Sequence, residues 1–327
     1  MTMRSLSISA LSVALLSLLL CACSTTHYSV PNEAPIDTSR LPPPDRALSI
    51  PGLSPCSETS GSIVKVNSNE PVTVLVHGCF SSAGRYRALA QVFAFHGQQA
   101  VCFSYNDRDS LTRSASELTA ALNQLSQQMN SQKITVIGHS QGGLIARKAL
   151  TTDAAVVLEK PDNKISLVTV SAPFSGIYAA DHCGSALAQT MSLGLIGSIC
   201  KAVTGDKWYE ITRYSSFIRG PGEFSPQVID HLKVVTDERN SCRVYGPENQ
   251  CLEDDYVFSI EEQYQDSVDR ARNTRNVQVV AGHAEIVGNH LVAPKKLIAV
   301  LQDHDVLLAT PRERQVSFEA LLACLYR

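Results

Sequence analysis

The chain has 327 residues, 28 basic against 31 acidic side chains and a formal net charge of −3. With no basic stripe, zinc-finger spacing or RNA-binding signature, this near balance excludes a nucleic-acid partner. It also leaves little electrostatic attraction to anionic lipid.

In chain order, Arg4 precedes an apolar run from Leu6 to Leu20 that is interrupted only by serines. That is short of the roughly 20 apolar residues a membrane span needs, and it fits the hydrophobic region of an export signal. The following Leu20-Cys-Ala-Cys-Ser24 resembles a bacterial lipobox, so residues 1–22 are expected to be removed and Cys23 to carry the lipid. A cut before Cys21 would place Leu20 where a small side chain is needed. By the same resemblance, Ser24 in place of Asp implies the outer membrane of a Gram-negative envelope. Residues 23–57, rich in Pro, Ser and Thr around Leu41-Pro-Pro-Pro44, read as a lipid-anchored tether. Residues 58–327 then form the folded domain.

Apolar, β-branched runs at 72–76, 100–105, 133–137, 165–170, 232–236 and 276–281 alternate with helical patterns at 83–96, 110–128, 142–151 and 293–301. Continuously apolar strands separated by helices predict a mostly parallel sheet covered on both faces, an α/β fold. Gly97 stands where the first helix should end. Between about 174 and 231 the alternation stops, and a small apolar stretch is followed by Trp208, Tyr209, Tyr214 and Phe217. Such an insert can serve as a cap or lid over a site; a plain helix pair covering the sheet edge is the competing expectation.

Eight cysteines remain after Cys21 and Cys23 are set aside, an even number in a chain bound for an oxidising compartment, which predicts disulfides. Cys183 with Cys200 and Cys242 with Cys251 flank short segments and are the expected local pairs. Cys56, Cys79, Cys102 and Cys324 cannot be paired from sequence. No cofactor fingerprint is present. Asp181-His182-Cys183 has no second ligand cluster near it in sequence, so no metal is expected.

The chemical signal is Gly138-His-Ser-Gln-Gly142, a G-x-S-x-G motif preceded by a β-branched strand and followed by a helix. That context is what a nucleophile elbow requires: a sharp strand-to-helix turn that lifts the Ser140 hydroxyl above the sheet. The Gln141 N–H at the helix start would then face a developing oxyanion. Together with Val74-Leu-Val-His-Gly78 and Val170-Ser-Ala-Pro-Phe-Ser-Gly176, the motif resembles the lipase and esterase branch of the α/β-hydrolase superfamily over roughly residues 70–300. The resemblance implies a second oxyanion donor at the N–H of Cys79, or of Phe80 one residue on, while His77 braces the loop. It departs at Phe174, where those lipases usually carry His. It also implies the triad order Ser, acid, His. His283, at the end of the last strand, is the preferred base, and His290 the alternative. Asp237, Glu238, Asp254 and Asp255 all qualify by order for the acid. The family pattern favours Asp255, with Asp254 next and Asp237 third, although Ser259 replaces its Pro. Cys79 as nucleophile is the less favoured alternative in an exported chain. The expected activity is cleavage of carboxylic esters, lipid-derived ones included, through an acyl-enzyme. Acyl transfer or thioester cleavage on the same triad, or an inactive surface binding lipoprotein, are the alternatives.

Overall fold

The computed structural model describes residues 36–57, 61–192, 195–289 and 292–326, so Cys21, Cys23, the expected signal segment and His290 lie outside the described residues. The strands are β1 (Arg46–Ser49), β2 (Leu53–Ser54), β3 (Ile63–Val66), β4 (Val72–Val76), β5 (Gln99–Phe103), β6 (Lys133–His139), β7 (Lys164–Val170), β8 (Val228–Asp237), β9 (Cys242–Tyr245), β10 (Cys251–Asp254) and β11 (Thr274–Val280). Seven of them form one sheet in the order β11-β8-β7-β6-β4-β5-β2. All neighbours run parallel except β2, which pairs antiparallel with β5 at the edge. Central β4 is buried at every position, as a strand covered on both faces must be, whereas edge strand β11 alternates in exposure.

Helices α1 (Arg87–Phe95), α2 (Leu111–Gln128) and α3 (Gln141–Ala149) make the crossovers of the first half. Ser110 caps α2 by accepting from the Arg113 N–H, and Gly97, at φ 76°, ends the turn after α1 in the left-handed region that glycine tolerates. Between β7 and β8 lie only short elements, α4 (Asp181–Gly184), α5 (Ala186–Met191), α6 (Leu195–Thr204) and α7 (Ser216–Arg219), joined by turns. After β10 come α8 (Ile260–Gln263) and α9 (Asp266–Asp269), and after β11 come α10 (Lys295–Asp303) and α11 (Gln315–Leu325). One face of the sheet packs Leu118, Leu122 and Leu125 of α2 with Ile145 of α3. The other packs Leu89 and Phe93 of α1 with Leu297, Leu301 and Phe318. Each such side chain contributes about 1.5–3 kcal/mol by leaving water.

The folded body begins before residue 58, contrary to the expected tether boundary. Leu48, Ile50 and Leu53 are core residues, β1 pairs with β3, and Cys56 is bonded to Cys102 of β5. The prolines at 42–44 set an extended path, and the apolar residues just after them take it back onto the sheet. The other disulfides join Cys183 to Cys200 and Cys242 to Cys251, while Cys79 and Cys324 are free thiols. His182 lies near the first of these pairs, but both sulfurs there are spent on the S–S bond and offer no thiolate to a metal.

Candidate active site

Four adjacent strands, β6, β7, β8 and β11, deliver Ser140, Ser171, Glu238 and His283 at or just beyond their C-terminal ends. Ligands and reacting groups in open parallel sheets gather at that edge.

Ser140 stands at φ 56°, ψ −127°, a conformation that non-glycine residues rarely adopt. Its N–H is held by the Val170 carbonyl at 2.8 Å, and its own carbonyl accepts from Gly143 N–H at 2.9 Å. Such a backbone costs on the order of 1–3 kcal/mol, which the surrounding structure must offset. Space explains the flanking glycines. A Cβ on Gly138 would lie 2.4 Å from the Gly142 carbonyl oxygen, and one on Gly142 would lie 2.3 Å from that of His77. The first turn of α3 therefore sits directly on the end of β4, bringing the 77–80 loop alongside the elbow.

His283 comes to the elbow through the residue before the serine. The rings of His139 and His283 are 4.6 Å apart by centroid, and His139 Nε2 lies 3.0 Å from the His283 carbonyl. Burial, followed by the neighbouring His283 and Arg85, holds His139 well below the usual histidine range, so it is neutral and donates to that carbonyl. Phe258 closes edge-on against the His283 ring at 4.8 Å.

The carboxylate behind His283 is Glu238. Its Oε1 is 2.9 Å from His283 Nδ1, and that oxygen also accepts from Ser171 Oγ at 2.6 Å. Ser171 Oγ is itself 2.9 Å from Nδ1, and Thr236 Oγ1 is 2.8 Å from both Ser171 Oγ and Glu238 Oε1. The second oxygen, Oε2, accepts the N–H groups of Val257 and Phe258 at 2.7 and 2.8 Å. Glu238 is only 1% exposed. Burial alone would raise its pKa, yet the bonds from His283, Ser171 and the Phe258 N–H together hold it below the ordinary carboxylate value.

Asp255, the expected acid, is equally buried but faces elsewhere. Its carboxylate accepts the N–H groups of Ala284 and Glu285 at 2.9 Å and bonds Arg243 at 2.9 Å, while its backbone carbonyl accepts His283 N–H at 2.9 Å. It grips the peptide that carries His283 rather than the ring. Asp254 is exposed on β10, and the Asp237 carboxylate is taken by Arg239. The structure thus puts Glu238 on the imidazole, and not Asp255, the expected acid, nor its alternatives Asp254 and Asp237. Strand alternation gives the reason: side chains two apart share a face, so Thr236 and Glu238 lie together, with Thr236 Oγ1 on the Glu238 oxygen that meets His283, and Asp237 between them turns to Arg239.

On the other side of Ser140, Phe80 at φ 53° gives its N–H to the Asp107 carboxylate at 2.5 Å. Of the two loop N–H groups expected from sequence as oxyanion donors, that of Phe80 is therefore already committed. His77 stacks on Tyr105 at 4.3 Å, its carbonyl accepts the Tyr105 hydroxyl at 2.7 Å, and its Nδ1 is 2.9 Å from the Gly78 carbonyl. Burial pushes the Cys79 thiol up despite the nearby Lys207 ammonium, the opposite of what a cysteine nucleophile needs.

A family model described as palmitoyl protein thioesterase matches residues 71–220, which include β4, the elbow and most of the β7–β8 segment. Among solved structures, the mature form of the Bacillus licheniformis lipase BlEst2 aligns over 77% of this chain and 96% of its own, at a TM-score of 0.50 and 15% identity. Its propeptide form covers 80% of this chain and 54% of its own at 0.51 and 16%. No curated protein matches. This is the α/β-hydrolase fold.

Within the α/β-hydrolase fold the chain order Ser140, Glu238, His283 follows the usual sequence of nucleophile, acid and base. Sequence reasoning missed two residues of this group. Glu238 qualified by order but was passed over for a motif match at Asp255; its place directly after β8 was the available signal. Ser171 lay within the Val170–Gly176 motif, and at φ 47° it closes β7 much as Ser140 closes β6.

Proposed function

We propose that the chain is a serine hydrolase that cleaves acyl esters and thioesters through Ser140, His283 and Glu238. The observation that carries this reading is the strained elbow at Ser140, whose preceding residue His139 packs its ring 4.6 Å from that of His283, a histidine whose Nδ1 is already bound to a buried carboxylate. With Nδ1–H committed to Glu238, Nε2 is the nitrogen able to take the proton from Ser140 Oγ as it attacks the carbonyl. Glu238 keeps that tautomer and stabilises the imidazolium without accepting the proton. Cys79 and Gln141 N–H groups receive the oxyanion, each worth about 10²–10³ in rate. The imidazolium then protonates the leaving alcohol or thiol, and water repeats the sequence to release the acid.

The likeness to the palmitoyl thioesterase model over residues 71–220 favours including thioesters among the substrates. The segment between β7 and β8, with Leu187, Met191 and Leu195 exposed, would suit a cap that receives an acyl chain. The chain acts, in this reading, at a cell-envelope membrane to which Cys23 is joined by lipid. No described helix is long and apolar enough to cross a membrane.

A fluorophosphonate probe is expected to label the wild type and not Ser140→Ala, and p-nitrophenyl esters and acyl thioesters of rising chain length are expected to be turned over by the wild type alone. Equal labelling of the two proteins would end the assignment. Cys23→Ser is expected to leave the membrane fraction with its activity intact.

A further inference from the structure

Lys207 lies on the turn after α6, in the segment between β7 and β8, and is only 2% exposed. A buried ammonium is costly unless its protons find good acceptors. Here it donates to Cys79 Sγ at 2.9 Å, to Gln141 Oε1 at 2.6 Å and to the Asp107 carbonyl. None of these acceptors carries a compensating charge, since burial keeps Cys79 as a thiol. Two of them belong to the residues whose peptide N–H groups form the oxyanion hole in the function proposed above.

The anchorage around Lys207 is built from several independent bonds. Gln141 Nε2 donates to the Asp107 carbonyl at 3.1 Å, and the Asp107 carboxylate accepts the Phe80 N–H. The neighbouring Arg108 guanidinium donates to the Ala202 and Val203 carbonyls at the end of α6, both at 2.8 Å. Glu210 accepts the Leu111 N–H at the start of α2 at 2.5 Å. Residues 202–210 are thus fastened to the 106–112 segment at several places, the Asp206 N–H to the Arg108 carbonyl at 2.8 Å among them, and Lys207 is the fastening that reaches the elbow.

We propose that Lys207 is the positioning residue of the oxyanion hole: its Nζ, bonded to the side chains of both Cys79 and Gln141, fixes the spacing of their two N–H groups. This rests on the Ser140 hydrolase reading and deepens it. The β7–β8 segment then belongs to the catalytic apparatus as well as to any acyl pocket, because a change in its seating would move both donors. A group that acts only on the developing negative charge lowers kcat and leaves substrate binding alone.

The test compares wild type, Ser140→Ala, Lys207→Met and Lys207→Arg on p-nitrophenyl butyrate, together with inhibition by a phenylboronic acid that adds to the serine as a tetrahedral anion. Lys207→Met is expected to lower kcat by about 10–100-fold, with KM within about threefold and boronate affinity weakened in proportion to kcat. Lys207→Arg, which keeps the charge, is expected to recover part of the loss. Unchanged kcat, or a rise in KM at constant kcat and constant boronate affinity, would overturn the proposal. Should Lys207→Met lose its near-ultraviolet circular dichroism, Gln141→Met removes one acceptor while leaving the Gln141 N–H in place. It is expected to lower kcat and boronate affinity together by about tenfold, and wild-type values for both would equally overturn it. Wild-type turnover by Ser140→Ala would instead defeat the hydrolase reading, so the two failures are distinguishable.

Discussion

Two buried carboxylates, Glu238 and Asp255, serve His283 and the peptide that follows it, and they differ in what they hold. Glu238, at the end of β8, bonds the ring. Asp255, just beyond the β9–β10 hairpin, bonds the peptide N–H groups of Ala284 and Glu285 and is tied to Arg243. Both are 1% exposed, so burial alone does not tell the two apart. The partner decides. A carboxylate on Nδ1 sets the tautomer and stabilises the charge that forms on the ring, whereas one on the following peptide sets only where the ring begins.

Removing each in turn breaks the comparison most directly. Glu238→Gln keeps the shape but allows the wrong tautomer of His283, and kcat is expected to fall by about 10³–10⁴ with KM little changed. Asp255→Asn keeps the ring's partner and leaves Arg243 with Glu253 as its one remaining ion-pair partner among the described residues, so kcat should fall by no more than about tenfold while unfolding stability drops by about 2–3 kcal/mol. Steady-state kinetics and urea unfolding measure the two effects. If Asp255→Asn cost as much in kcat as Glu238→Gln, the division of labour would be wrong.

A smaller effect tests the hairpin that supports Asp255. Cys242 and Cys251 close a loop of sequence separation 9 around the turn, and Arg243 stands beside the first of them. Replacing both by Ala is expected to cost about 2–3 kcal/mol, most of it through the freed unfolded chain, with kcat changed by less than about threefold. Ion pairing of Arg243 with Asp255 should hold the loop once the chain is folded. A much larger loss of kcat would mean that the hairpin positions His283 more strongly than its contacts indicate.

The difference between the two acids also explains what could be read from sequence. The strands were legible because β4 is buried at every position and β5, β6 and β7 each carry a mostly apolar, buried run, and the elbow because glycine is the only residue that fits where α3 meets the end of β4. Short β1, β2 and β3 were not. Their few apolar residues follow a proline-rich stretch, and their burial comes from pairing and from the Cys56–Cys102 bond, which are long-range facts. The hairpin β9–β10, exposed on most positions, carries no apolar period at all. Glu238 was hidden for a different reason: a local motif placed an acid at Asp255, and only the register of β8 against β11 shows which carboxylate meets the imidazole.

Acid titration sharpens the comparison further. The Glu238 carboxyl is held below its ordinary value of 4.5 by its hydrogen bonds, so its stabilising contribution is fully present above pH 4.5 and is lost as pH falls through the lower, folded value. The stability gap between wild type and Glu238→Gln should therefore narrow below pH 4.5. A separate loss should begin higher. His139 and His231 are both held well below 6.5 by burial, so the unfolded chain takes up protons there that the folded chain refuses. Stability of both proteins should decline together from pH 6.5 downward, as chemical denaturation at fixed pH steps would show. A gap that opened rather than closed in acid would contradict the bonding of Glu238.

The smallest expected effect belongs to Asp254, the neighbour that the family pattern ranked next after Asp255. Its side chain is exposed on the last residue of β10, and the backbone at that position pairs with Cys242. Alanine there keeps the backbone pairing and removes only a solvated charge, so stability should stay within about 0.5 kcal/mol of wild type and kcat should be unchanged. One residue further along, the same class of substitution is expected to cost several times more. A deficit in Asp254→Ala comparable to that of Asp255→Asn would show that the hairpin shifts by one residue in solution, exchanging the two aspartates at the Ala284 and Glu285 N–H groups, while Glu238 would still hold the ring.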